Sequence, residues 1–487
     1  MKCAHHTQCI LNGLERYATN MLLSLLFLTI LPVSLNASTS TTESTSSEEV
    51  WLTIFVHGMM SIKHHLSMEN LFRFVGDDIE NCLYTKTINI MRTNPFFFKN
   101  QAMQYPGLQK IETCNAPCTN ASASMAILFD YLYKSCGCSG QRRYYTFGWS
   151  GLLSACARYR DAKIFFDALN AEVTQLKQAG FIPKIRIIGY SHGGNVTLNL
   201  AAIARDIGVK PTFCIDELVL VGMPVQQETD YLINDALFKR VYHVYSCADR
   251  VQPLDLFSSK SFFSQRTFTA RPGFKLPAKL KQIELRITRC NTRVRNSQGH
   301  KRLLATDLEH YGIESGQSRL LRTASPGHAE LWFFGWTPLN YRRSFPLYPL
   351  PCMAVVPFIG NYFDTVCSAD SSADANSFIF DIRPEFGHIL IKNSNATTTK
   401  TSFLNPQELT NVSSMLLNRA PEPYLETHYK IEIGHAFEQA QVQQLAQDLC
   451  NPTTLSKKKL RQRRRIASLN KLQKRNFHTK EHNEQNG

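Results

Sequence analysis

At 487 residues the chain is long enough for about three average domains, yet α/β folds with insertions run past about 250 residues as one unit, so length excludes neither arrangement. The formal charge of +15 is concentrated: residues 456–487 hold eleven Lys or Arg against Glu481 and Glu484 and contribute +9 of it. The rest of the chain is only mildly basic, and no specific nucleic acid is expected as a partner.

Residues 21–31, MLLSLLFLTIL, form an apolar core behind a leader that carries Lys2 and Arg16, and PVSLNAS follows with small residues around Ala37. That is the pattern of a secretory signal peptide over 1–37. The run is shorter than the roughly 20 residues that span a bilayer, with an uncleaved anchor as the alternative. Either way the chain is expected to be exported, to the exterior, a periplasm or a cell surface. Residues 38–49 are Ser/Thr-rich and carry too little apolar surface to join a core, which makes them a linker. In an oxidising compartment the cysteine cluster Cys114, Cys118, Cys136 and Cys138 points to one or two disulfides pinning a surface insertion, with a zinc site as the lesser alternative. Cys247, between apolar neighbours, is expected to be a buried core thiol.

The body opens on residues 51–56, an unbroken apolar and β-branched run that suits a strand buried on both faces and ends at His57-Gly58. LFRFVGDDIENCL, at 71–83, suggests a helix, and about 95–140 looks like a loop-rich, Cys-containing insertion. A strand is expected over 143–149, and an amphipathic helix over 157–178 with Phe165, Leu169 and Val173 on one stripe. IRIIG at 185–189 reads as the next strand and NVTLNLAAIA as the helix after it. Further strands follow at 217–225 and in KRVYHVYSCADRV, which ends at Asp249, with a helical stretch near DYLINDALF between them. Strands alternating with helices imply βαβ units and a mostly parallel sheet with helices on both faces. Beyond 345, NSFIFDIRPEFGHILIKN looks like a strand pair turning at Arg383-Pro384. The expected organisation is an α/β domain over 50–345, a C-terminal extension over 346–450 and a basic tail over 451–487. The tail is either a solvated, extended block or a contact for an anionic membrane surface or other polyanion.

Between the IRIIG strand and its helix lies Ser191, flanked by Gly189 and Gly193 in the order G-x-S-x-G. A serine on so tight a turn sits in strained backbone, and residues two places to either side must lack side chains where strand and helix cross. The strain lifts the hydroxyl clear of the sheet, and the N-terminus of the helix aims its dipole at charge developing there. In a parallel sheet a ligand sits at the carboxyl ends of the strands. His57-Gly58, Ser191, Gly222-Met223-Pro224 and Asp249 all fall at such ends.

FVHG, GYSHGG, VGMPV and SCADRVQP, in this order and spacing, resemble the α/β-hydrolase superfamily, in its lipase and esterase branch, over about residues 50–335. The resemblance implies an α/β-hydrolase fold and a triad in chain order serine, acid, histidine. Asp249, just past a strand in a loop like the family's acid loop, is the expected acid, with Asp255 and Asp216 as fallbacks. His328, after an apolar-basic strand and a Ser-Pro-Gly turn, is the expected base, with His388 and His435 as alternatives. By the same resemblance the backbone N–H groups of Met59 and His192 form the oxyanion hole. His57, Gly58, Gly189 and Gly193 support it.

No phosphate-loop or nicotinamide fingerprint lies on the strand-to-helix turns, and no metal or organic cofactor is expected. The implied activity is hydrolysis of a carboxylic ester or lipid through an acyl-enzyme on Ser191. The alternatives are acyl transfer by the same triad and a non-catalytic envelope-binding protein on a hydrolase scaffold.

Overall fold

The computed structural model describes residues 48–59, 77, 79–80, 82–99, 104–111, 121–208, 211–252, 264–290, 293–296, 299–302, 321–333, 350–365, 376–393, 398–419 and 426–450. The expected signal peptide, nearly all of the linker, Cys114, Cys118, Asp255 and the basic tail lie outside the described residues.

β1 (Glu49–Val56) is followed by α1 (Leu83–Met91), the short α2 (Pro95–Lys99), β2 (Gly107–Ile111), α3 (Ala121–Ser135), β3 (Gln141–Gly148) and the long α4 (Ala155–Gln178). Then come β4 (Ile182–Tyr190), α5 (His192–Ile207), β5 (Ile215–Val221), β6 (Phe238–Tyr245) and β7 (Leu280–Cys290). A hairpin of β8 (Arg293–Asn296) and β9 (Gly299–Arg302) precedes β10 (Leu321–Ala324). The described chain closes with α6 (Val356–Thr365), β11 (Ser377–Arg383), β12 (His388–Asn393), β13 (Thr398–Ser402), α7 (Pro406–Arg419) and α8 (Glu426–Cys450).

The protein is an α/β structure built on a mostly parallel, mixed sheet in the order β13-β12-β11-β7-β6-β5-β4-β1-β3-β2, with β10 beside β7. β3, β1, β4, β5, β6, β7 and β11 pair in parallel, while β2, β10, β12 and β13 join antiparallel. Successive residues of a strand face opposite sides, and both sides of β1 are apolar. Phe55 packs with α3 and α6 on one face, whereas Leu52, Ile54 and Val56 pack with α4 and α5 on the other. Each such side chain taken out of water contributes about 1.5–3 kcal/mol. α4 begins where Ser154 caps it by accepting the Ala157 N–H at 3.0 Å, and it buries the stripe Phe165, Leu169, Val173 and Leu176.

The register brings the carboxyl ends level. Val56 lies beside Gly189, Tyr190 beside Val221, and Val221 beside Val244. From β1 the chain moves to β3 on one side and then to β4 on the other, so the strand order reverses at β1. A parallel sheet opens its crevice at such a reversal, here between the ends of β1 and β4.

Several expectations need correction. Among the described residues of 95–140, β2 extends the sheet beside β3 and α3 sends Met125, Phe129 and Leu132 into the core, so these two elements belong to the main body and not to a loop-rich insertion. Residue 345 is no structural boundary either, because β11 pairs with β7 and continues the same sheet. Of LFRFVGDDIENCL only Asp77, Ile79, Glu80, Cys82 and Leu83 are described, of which Leu83 opens α1, and the rest of that expected helix lies outside the described residues. DYLINDALF yields a five-residue 3-10 turn, Asp230–Asn234. The strand expected to end at Asp249 stops at Tyr245, and the one expected over 217–225 stops at Val221.

Cys247 is exposed, since it lies past the end of β6 instead of within it. Cys136 and Cys138 are free thiols closing α3 against the core, not members of a disulfide, and burial pushes the Cys136 thiol up to about 12. Among the described residues, no group of three or more His, Cys, Asp or Glu is placed to hold a metal, and no helix is long and apolar enough to cross a membrane.

Candidate active site

Ser191 forms the turn between β4 and α5 with φ 52° and ψ −132°, a conformation that costs a non-glycine residue on the order of 1–3 kcal/mol. Two glycines make the turn possible by close approach. A Cβ on Gly189 would lie 2.9 Å from Cα of Gly194, and one on Gly193 would lie 2.3 Å from the His57 carbonyl oxygen. The loop after β1 is thus pressed against the first turn of α5. Ser191 sits at the N-cap position of α5, yet its side chain makes no capping hydrogen bond. Its Oγ lies instead 3.1 Å from Nε2 of His328.

His328 follows β10 and opens a short 3-10 turn, Ala329–Leu331. Its Nδ1 lies 2.6 Å from Oδ2 of Asp249. A carboxylate only accepts, so Nδ1 carries the proton and Nε2 is left to accept from the Ser191 hydroxyl. Asp249 stands in the turn after β6, fully buried, and its other oxygen accepts the backbone N–H groups of Val251 at 2.9 Å and Gln252 at 3.3 Å. Arg266 adds a 3.0 Å bond to the Asp249 carbonyl. Exposure stays low along the chain of bonds, 0% at Asp249, 15% for the His328 side chain and 5% at Ser191. In so dry a setting, charge-assisted hydrogen bonds strengthen, and the imidazole is placed to withdraw the serine proton.

Three further contacts hold the histidine turn. Tyr190, next to Ser191, donates its hydroxyl to the His328 carbonyl at 3.0 Å, and its ring lies 4.9 Å from the imidazole. Trp332 stacks on the Tyr190 ring at 5.0 Å. Ser246 donates to the Pro326 carbonyl at 2.5 Å, which ties the turn bearing Asp249 to the turn bearing His328.

His57 is fully buried at the end of β1. Its Nδ1 lies 2.7 Å from the Gly58 carbonyl and therefore donates to it, while Nε2 accepts the Trp149 backbone N–H at 3.3 Å. Burial first, and the Arg92 charge second, hold its pKa down at about 3, so the ring is neutral. The Trp149 indole N–H donates to the His57 carbonyl at 2.7 Å. A Cβ on Gly58 would lie 2.9 Å from Cβ of Ser191, so this loop runs directly past the serine and carries Met59 beyond it. His192, on the other side, is the first residue of α5 and is buried.

The structure therefore brings Ser191, His328 and Asp249 into one hydrogen-bonded chain, with His57, Gly58, Gly189 and Gly193 packed around it. It does not bring the alternatives there. Asp216 accepts the Ile185 N–H and pairs with Lys239, while His388 is buried in β12 between Arg383 and Ser402. His435 stands on α8 beside Glu432 with its side chain 60% exposed. Tyr190, Ser246, Trp332 and Arg92 were not anticipated. Comparison of the chain with protein-family models, curated proteins and solved structures finds no match.

Proposed function

We propose that the protein is a serine carboxylic-ester hydrolase, lipase- or esterase-like, on an α/β-hydrolase fold. The observation that carries this is the chain from Asp249 Oδ2 through the His328 imidazole to Ser191 Oγ, with spacings of 2.6 and 3.1 Å. The turn at Ser191 and the reversal of strand order at β1 support it independently.

In this mechanism His328 Nε2 takes the Ser191 proton as Oγ bonds to the substrate carbonyl carbon. Asp249 keeps the imidazole in the required tautomer and stabilises the imidazolium. The negative charge passes to the carbonyl oxygen, where the backbone N–H groups of Met59 and His192 receive it, each worth on the order of 3 kcal/mol of barrier. The tetrahedral intermediate collapses, His328 returns its proton to the departing alkoxide, and an alcohol leaves. A water then repeats the sequence, releasing the acid and restoring Ser191.

Incubation with a fluorophosphonate probe is expected to label the wild-type protein and to leave Ser191→Ala unlabelled at equal folded concentration. Folded wild-type protein that takes up no label overturns the proposal.

A further inference from the structure

Behind the loop proposed to bind the oxyanion lies a second set of polar contacts that the triad does not use. Arg92 caps the carboxyl end of α1, and its guanidinium is turned inward. Nε donates to the Ser150 carbonyl at 3.2 Å, Nη1 reaches the Gln104 carbonyl at 3.4 Å, and Nη2 lies 3.5 Å from Nε2 of His57. Ser150 is itself held from α4, where one Asp161 carboxylate oxygen accepts both its N–H and its hydroxyl. The path then runs through the His57 ring, whose Nδ1–H grips the Gly58 carbonyl at 2.7 Å. The next N–H along the chain is that of Met59.

Each contact constrains the one after it. A neutral imidazole has one donor and one acceptor, and two N–H groups, from Arg92 and Trp149, converge on Nε2. That convergence forces the proton onto Nδ1, the only nitrogen facing the Gly58 carbonyl. Were the proton on Nε2, Nδ1 and the carbonyl would present lone pairs to each other and the loop would move. Burial lowers the Arg92 pKa only to about 10, so the guanidinium stays charged at neutral pH and adds to the pressure keeping His57 neutral.

We propose that Arg92 is a positioning residue for the oxyanion hole: through His57 it fixes the Gly58 peptide and hence where the Met59 N–H points. The assignment rests on the hydrolase proposed above, and it adds a residue far from the G-x-S-x-G motif that acts only on one donor of the developing charge. Misplacing one donor is a fraction of the loss from deleting it, which costs about 100- to 1,000-fold in kcat.

The test compares a p-nitrophenyl ester with the matching thionoester, in which sulfur replaces the carbonyl oxygen, on full-length wild type, Arg92→Met and Arg92→Lys. Sulfur is a weak acceptor and gains little from the hole, so the ratio of oxo to thiono rates reports donor placement and is indifferent to how much of the protein is active. In Arg92→Met the oxo kcat is expected to fall about 10-fold or more with KM within about twofold, and the oxo/thiono ratio to fall with it. Arg92→Lys, which keeps the charge but can reach fewer of the three acceptors, is expected to fall between. Equal loss on both esters, or no loss, overturns the proposal, because a merely structural role lowers both rates together. Wild-type protein that neither takes a fluorophosphonate label nor turns over the oxo ester overturns the hydrolase assignment and this one with it.

Discussion

The two oxygens of Asp249 are not equivalent. One accepts backbone N–H groups from Val251 and Gln252, and the other faces Nδ1 of His328. In Asp249→Asn the backbone donors hold the amide oxygen in place and turn the NH₂ toward Nδ1, which then loses its proton to Nε2. The histidine is left unable to accept from Ser191. We expect kcat to fall about 10⁴-fold with little change in the thermal midpoint, checked by ester turnover and a melting curve. An activity within about tenfold of wild type would remove Asp249 from the role of orienter. Ser191 was legible from G-x-S-x-G between a strand and a helix, whereas Asp249 and His328 were expected through the family resemblance, and the structure places the three within hydrogen-bond reach of one another. Their supports were not legible. Tyr190 meets His328 across 138 residues of chain and Ser246 meets Pro326 across 80, and no local spacing encodes either contact.

At the scale of elements, strands with two apolar sides were legible and those with one were less so. β5 is buried at every position. β7, the longest of the described strands at 11 residues, alternates Ile283, Leu285 and Ile287 with Gln282, Glu284 and Arg286, a pattern hard to tell from a charged loop in the sequence although the strand adjoins both β6 and β11. Two fully buried histidines belong to the sheet's core region: His57 directly follows β1, and His243 lies within β6, with Tyr245 at 5.8 Å and Phe268 at 5.2 Å. Burial depresses both, to about 3 and about 4, from an ordinary value near 6.5. The sign follows from proton counting. Between pH 6.5 and those lower values the unfolded chain takes up a proton at each histidine and the folded chain does not. Stability conferred above pH 6.5 is therefore lost as pH falls, at up to about 1.4 kcal/mol per unit for each residue. Urea unfolding at pH 7 and pH 5 is expected to differ by about 2 kcal/mol for each histidine, and His243→Phe to remove about half of their joint contribution. An unchanged difference in that variant would exclude His243 as a source.

For the molecule as a whole, the segment past residue 345 is structural. It supplies β11, the parallel partner of β7, and β12 and β13 beyond it. α6 covers the same sheet face: Phe363 stacks on Tyr242 at 5.4 Å and meets Phe378 edge-on at 5.0 Å. Charge ties the two parts as well. Glu217, 2% exposed in β5, is paired with Arg186 and with Arg240 at 2.9 Å, and Arg240 also pairs with Asp364 of α6. Arg186 in turn lies over the rings of Trp51 at 4.3 Å and Tyr133 at 4.4 Å. Cutting the chain after residue 345 would leave β7 as a long edge, uncover the apolar face over Tyr242 and open the Glu217 network to water. Removing one member of a buried charge network alone costs about 3–5 kcal/mol, a large part of the 5–15 kcal/mol that holds a typical domain together. A chain ending at residue 345 is therefore expected to aggregate or to lack a cooperative thermal transition, and to take no fluorophosphonate label, even though Ser191, Asp249 and His328 are all retained. Cooperative melting and labelling of that truncated chain at wild-type rates would show that the core bearing Ser191 ends where the sequence pattern suggests, and that β11–β13 are an appendage.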